Sequence, residues 1–116
     1  MVFIEAPAFT RYLSGHLDDE GYRELQQELA RKPEAGDLIS GTGGFRKVRW
    51  GDIRRGQGRR GGLRVIYSHF AAEHQIWLMT LYSKNEAADL LPREKKALKA
   101  AIERECEARE AARRKR

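Results

Sequence analysis

The sequence predicts a small α+β domain: a helical hairpin packed on a mainly antiparallel four-stranded sheet, with a helix closing the chain. Three observations predict it. Apolar residues recur at helical spacing over about residues 7–32, with one break near Gly15. Three runs rich in β-branched and aromatic residues follow between about 45 and 84. From about 90 to 113 the chain is charged, with a narrow apolar stripe at helical spacing.

Each element has a local cause. Val2–Glu5 is β-prone and opens the chain as a short strand. Pro7 suits a first helical turn, where its missing N–H has no partner to lose; Phe9, Tyr12 and Leu13 then share a helix face. Asp18 caps a second helix, Asp19 and Glu20 favour its first turn, and Tyr22, Leu25 and Leu29 form its stripe. Lys32-Pro33 stops it. Glu34–Gly44 reads as a loop ending in Gly41-Thr42-Gly43-Gly44, and Phe45–Trp50 as a strand. A second glycine-rich loop, Gly51–Gly62, leads to the hairpin of Leu63–Phe70 and Gln75–Tyr82, turned at Ala71–His74. The closing helix presents Leu98, Ala101, Ile102 and Cys106.

The 116 residues amount to one domain, read as spanning 1–116. No run approaches the ~18 apolar residues of a membrane span, and Met1–Phe9 lacks the basic start and long apolar stretch of a secretory signal. The lone cysteine, Cys106, allows no intramolecular disulfide and no cysteine-based zinc site. The expectation is a cytoplasmic protein without a membrane partner.

Charge is concentrated. The net charge is +6, yet Phe45–Arg64 alone carries +7, from eight basic residues against Asp52. The rest of the chain, with 15 basic and 16 acidic residues, is almost balanced. A solvated surface needs no such focus, so the segment reads as the footprint of a polyanion. Its Arg46, Arg49, Arg54, Arg55, Arg59 and Arg60 are the expected RNA contacts.

Strand alternation sharpens this. Phe45, Lys47 and Arg49 share one face of their strand, and Arg46, Val48 and Trp50 the other. Arg64, Ile66 and Ser68 fall opposite Leu63, Val65 and Tyr67, and in the last strand Ile76, Leu78, Thr80, Tyr82 and Lys84 align. This arrangement brings Lys47, Arg49, Arg64, Tyr82 and Lys84 to one rim of the sheet. Such a cluster suits RNA cleavage by the RNA's own 2′-hydroxyl, which needs a base, positive charge at the phosphorus and an acid for the 5′-oxygen. Arginine matches phosphate oxygens with planar, permanently charged donors. Crowded cations lower one another's proton affinity, which makes Lys47 a candidate base. Tyr82 or Lys84 can exchange the other proton, and no metal or cofactor is required. Each residue also has an ordinary role: Lys47 and Arg49 as solvated strand residues, Tyr82 as a core aromatic.

Other constellations carry less. His69 and His74 flank the hairpin turn, where two histidines can face each other as an acid–base pair, and His16 sits in the helix break. The Gly41–Gly44 run lacks the lysine and following helix of a phosphate-binding loop. No serine is placed for a Ser/His/Asp site.

Composition and periodicity stop at a basic α+β domain that meets RNA; resemblance goes further. Gly41-Thr42-Gly43-Gly44-Phe45-Arg46-Lys47-Val48-Arg49 resembles a stretch of the HigB-type toxins in the RelE/ParE superfamily. Gly58-Arg59-Arg60-Gly61-Gly62-Leu63-Arg64-Val65-Ile66-Tyr67 is similar to a second, and Leu81-Tyr82-Ser83-Lys84-Asn85-Glu86 to a third, in the same order along nearly the whole chain. The resemblance implies a RelE-like fold and cleavage of mRNA, typically on the ribosome at the A site. It also implies neutralisation by a HigA-like antitoxin with a helix-turn-helix domain. By position it assigns Lys47 and Arg49 to base and phosphate contacts, Arg64 to transition-state stabilisation, and Tyr82 and Lys84 to the last active-site segment. The chain departs from the RelE pattern in having Asn85 where an arginine is usual and no tyrosine after Tyr82. Two other readings fit the same composition: a non-catalytic RNA- or ribosome-binding module, and a ParE-like inhibitor of DNA gyrase.

Overall fold

The computed structural model describes residues 1–51, 62–84, 86 and 89–115. In chain order it contains β1 (Val2–Glu5), α1 (Pro7–Leu13), α2 (Asp19–Arg31), β2 (Asp37–Leu38), β3 (Arg46–Trp50), β4 (Leu63–Phe70), β5 (Gln75–Ser83) and α3 (Pro92–Arg114). The fold is α+β, with an N-terminal helical pair, a central sheet and a C-terminal helix, and it broadly matches a RelE-like arrangement.

The sheet has five strands among the described residues, in the order β1-β5-β4-β3-β2. The strand absent from the sequence reading is β2, which pairs Asp37 with Lys47 and Leu38 with Arg46. Two exposed residues carry no alternation from which to read a strand. The β2–β3, β3–β4 and β4–β5 pairs are antiparallel, while β1 returns alongside β5 in parallel. A parallel return needs a crossover, and α1 with α2 begins that path.

The helical pair covers one face. Asp18 caps α2 by accepting from the Gly21 N–H at 2.7 Å, a cap worth about 1 kcal/mol. Gly21, Leu25 and Leu29, four residues apart, point inward from α2. They pack with Phe9 and Leu17 on Val48, Trp50, Leu63, Val65, Tyr67, Ile76, Leu78 and Leu81. On the opposite face Leu98 and Ile102 of α3 seal a smaller core over Phe45 and Ile66. These two are the buried residues of α3; Cys106, expected on the same stripe, is exposed. Arg109 holds the later turns of α3 to the sheet, its guanidinium 3.8 Å over the Phe70 ring and donating to Gln75 Oε1 at 2.6 Å. No helix among the described residues is long and apolar enough to cross a membrane.

Two turns set the chain against the sheet. In the Gly41–Gly44 run, Gly43 has φ +76° and a side chain there would meet Ile102 Cγ2 at 3.0 Å, so glycine lets the turn lie under α3. Thr42 Oγ1 closes this turn, donating to Ile39 O at 2.7 Å and accepting from Phe45 N at 3.2 Å. The run is thereby a structural turn. In the second, the buried Tyr67 hydroxyl donates to Pro33 O at 2.8 Å and accepts from Gly36 N at 2.9 Å, fixing the approach to β2.

Candidate active site

Strand register assembles the site. Arg49 of β3 stands opposite Arg64 of β4, and Arg64 stands opposite Tyr82 of β5. The next row is Lys47, Ile66 and Thr80. Side chains directly opposite on neighbouring strands start about 5 Å apart, so Arg49, Arg64 and Tyr82 form one transverse row with Lys47 beside it. The row lies on the α3 face of the sheet, beyond the end of the small core that contains Ile66 and, at its margin, Tyr82.

Tyr82 reaches this face through a β-bulge. Ile66 pairs with Thr80 but Tyr67 with Leu78, so Met79 is an extra residue in β5. Ile76, Leu78 and Leu81 therefore share the helical-hairpin core, and Tyr82 turns to the other side. The expectation that Ile76, Leu78, Thr80, Tyr82 and Lys84 align on one face is corrected here: strict alternation fails at the bulge.

The electrostatics are not those of bare cations. The Lys47 ammonium lies 3.6 Å from Asp89 Oδ1, so the charge nearest to it is a carboxylate. The Leu90 N–H, donated at 2.8 Å, holds the Asp89 carboxyl below its ordinary range, with Lys47 and Lys95 adding to the effect. Burial pushes the Tyr82 phenol up, Asp89 and Glu94 push the same way, and Arg64 opposes them. Tyr82 is thereby kept protonated, a proton donor rather than a base. Its hydroxyl is buried and without a hydrogen-bond partner, the one such side-chain group among the described residues. Arg64, half-buried, makes a long 3.4 Å contact to the Leu63 carbonyl.

The turn after β5 is anchored by His16, between α1 and α2. Buried His16 places Nδ1 2.8 Å from the Tyr12 carbonyl and Nε2 against Glu86 Oε1. A carbonyl only accepts, so Nδ1 carries hydrogen toward the Tyr12 carbonyl. Glu86 Oε1 also accepts from Ser83 N at 3.0 Å, which holds the end of β5 and its turn together.

The other expected residues fall as follows. Arg46 lies on the hairpin side with Val48 and Trp50, donating to Gly36 O at 2.8 Å, and is not brought to the row. Lys84 follows β5, exposed, its N–H directed to Gly62 O at 3.4 Å. Arg54, Arg55, Arg59 and Arg60 lie outside the described residues. His69 and His74 do not face each other: His69 pairs with Ile76, and exposed His74 makes the left-handed residue of the turn at φ 53°.

Sequence reasoning missed Asp89, and it named His16 and Glu86 without their contact. Asp89 and Glu86 come from a turn with no periodicity, and His16 sits 70 residues from its partner. The signal for the two carboxylates was the acidic content of the segment just after the last strand. No protein-family model matches the chain.

Proposed function

We propose that this protein is the toxin of a type II toxin–antitoxin system, a metal-independent mRNA endoribonuclease of the RelE/HigB type. In this reading it cuts mRNA in the ribosomal A site, stops translation in the cytoplasm, and is held inactive by a HigA-like helix-turn-helix antitoxin. The observation that carries the reading is the transverse row Arg49–Arg64–Tyr82 with Lys47 beside it, cations and a protonated phenol on rigid strands. The concentration of charge in Phe45–Arg64 and the three sequence resemblances support it.

The residues divide the reaction between them. Arg64 and Arg49 hold the non-bridging oxygens of the scissile phosphate, with charge-assisted bonds that strengthen as the phosphorane forms. The phosphate takes the place of Asp89 beside Lys47, and Lys47, in its neutral amine form, accepts the proton of the attacking 2′-hydroxyl and becomes the ammonium. The 2′-oxygen bonds to phosphorus, the bond to the 5′-oxygen breaks, and Tyr82 gives that oxygen its proton. The products are a 2′,3′-cyclic phosphate and a 5′-hydroxyl. Lys84, at the end of β5, adds charge at the leaving side.

Primer extension on an mRNA translated in a purified system tests this, with the wild-type protein and Arg64→Ala. Cuts inside ribosome-occupied codons, reduced at least a hundredfold in the variant, are expected from loss of a transition-state contact. Undisturbed translation with no cuts overturns the reading, and replication arrest in its place identifies a gyrase-directed protein.

A further inference from the structure

The aim of Tyr82 is left to the strand beneath it. Its buried hydroxyl has no hydrogen-bond partner, so nothing among the described residues holds the ring by its tip. That strand is held by a neighbour on one side. β4 pairs with β5 from Gln75 to Ser83, but β1 pairs with it only along Gln75–Leu78. From the bulge at Met79 to Ser83, no strand among the described residues covers the second edge.

The Ser83 N–H lies on that open edge, since successive amides alternate and the Lys84 N–H is directed to Gly62 O, beside β4. Glu86 supplies there what a further strand would. Its Oε1 accepts from the Ser83 N–H at 3.0 Å, and its own N–H donates to Ser83 O at 2.9 Å. The same Oε1 meets His16 Nε2. His16 is itself fixed, its Nδ1–H by the Tyr12 carbonyl at 2.8 Å and its backbone N–H by the Leu13 carbonyl at 3.0 Å.

His16 and Ser83, 7% and 1% exposed, are two of the four buried polar residues among those described, and the reaction above uses neither. Apolar side chains would fill the same space without demanding a direction. What the polar link adds is geometry. The Ser83 N–H and the Tyr82 carbonyl belong to one planar peptide group, so holding the N–H holds ψ of Tyr82. With β4 on the other edge, this sets the direction in which the phenol leaves the strand.

We propose that His16 and Glu86 are positioning residues, which hold the backbone at Tyr82–Ser83 so that the phenol meets the leaving 5′-oxygen. Both act through Tyr82, and neither takes part in proton transfer. The proposal rests on the RNA-cleaving reading above.

The test is single-turnover cleavage of mRNA on preformed ribosome complexes, with the full chain carrying Glu86→Ala or His16→Phe, each alone and together with Tyr82→Phe. The rate at saturating protein is read apart from the half-saturating concentration. Each change alone is expected to lower the saturated rate roughly tenfold, as a small misplacement of a reacting group does. The half-saturating concentration is expected to stay within about twofold of wild type, because no RNA contact is lost. With Tyr82→Phe already present, either change is expected to lower the remaining rate by less than about twofold, since the group being positioned is gone. A merely structural role, or one exerted through Asp89 on Lys47, gives the same loss in both backgrounds and overturns the proposal. An unchanged saturated rate in Glu86→Ala overturns it as well; this side chain is half exposed, so the variant carries the test if His16→Phe does not fold. Either result, with cutting by the wild type, leaves the nuclease standing. Absence of cutting by the wild type overturns the nuclease and this role for His16 and Glu86 with it.

Discussion

Gly36→Ala is a one-methyl change with a calculable cost. A Cβ at residue 36 would lie 2.9 Å from the Lys47 carbonyl carbon, 2.9 Å from Tyr67 Cε1 and 3.0 Å from Lys47 O. Two of these atoms are strand backbone and the third belongs to a fully buried ring, so no flexible side-chain end can yield. Overpacking of this kind costs roughly 1–3 kcal/mol. Moving the loop away to relieve it breaks the 2.9 Å bond from Gly36 N to the Tyr67 hydroxyl and the 2.8 Å bond from Arg46 to Gly36 O. Each such bond is worth about 1 kcal/mol. Against this, alanine restricts the unfolded chain and recovers about 0.4–1 kcal/mol. Because the chain takes the cheaper of strain and shift, the net expectation is a loss of roughly 1–2 kcal/mol. For a chain of this size that is on the order of 10 °C in melting temperature. Urea denaturation gives the free energy, with an unchanged m-value showing that only stability has moved. Tyr67→Phe isolates the hydrogen bonds: it keeps the ring, leaves the Gly36 N–H unpaired, and should cost about 1–2 kcal/mol. A Gly36→Ala loss below about 0.5 kcal/mol would show that the loop shifts freely, and would refute the claim that this contact fixes the approach to β2.

Four further outcomes follow from the site and the core. Asp89→Asn should change stability by less than about 1 kcal/mol, since the pair with Lys47 is largely solvated, yet raise RNA affinity several-fold in filter binding; equal affinity would show that Asp89 does not compete with phosphate. Tyr82→Phe removes a buried, unpartnered hydroxyl, so melting should show neutral or slightly raised stability while single-turnover cleavage falls about 10²-fold or more; a parallel loss of both would deny the proton-donor role. Burial raises the phenols of Tyr22, Tyr67 and Tyr82 in the folded state, so their contribution is full below the ordinary tyrosine pKa of about 10. It is lost as pH climbs from there toward the folded values, and a denaturation series between pH 8 and about 11 should show stability falling only at its alkaline end. His16→Ala should cost about 1–3 kcal/mol and speed hydrogen exchange at the Ser83 amide, because Glu86 loses the ring that anchors it; unchanged exchange would mean the turn holds itself.

What was legible in the sequence follows the strength of each periodic signal. The helical pair, the β4–β5 hairpin and the closing helix all bury a face, and a buried face imposes its period on the residue types. Strand alternation in β3 and β4 likewise separated Lys47, Arg49 and Arg64 from Val48, Val65 and Tyr67. The site's carboxylates had no such trace. Asp89 reaches Lys47 from a turn, and Glu86 finds His16 across the fold; neither contact constrains its neighbours to a pattern. Arg46 shows the converse. It belongs to the basic run by composition, but alternation sends it to the side where it secures the Gly36 carbonyl.

The bulge in β5 is the point at which pattern and chemistry meet. From Ile76 and Leu78, a period of two continues to Thr80 and Tyr82, which would set the phenol against the helical hairpin and turn Leu81 toward the cations. The burial pattern contains the correction: the residues of β5 in the helical-hairpin core run 76, 78, 81, with a step of three where Met79 is inserted. Leu81 is almost fully buried, and leaving a leucine exposed forfeits about 2 kcal/mol, so burial of Leu81 selects the bulged register. Tyr82 then stands opposite Arg64 as a consequence of where its neighbour must go. Core packing two residues from the bulge thus sets which side chain stands opposite Arg64, because a bulge re-aims one side chain without moving the strand.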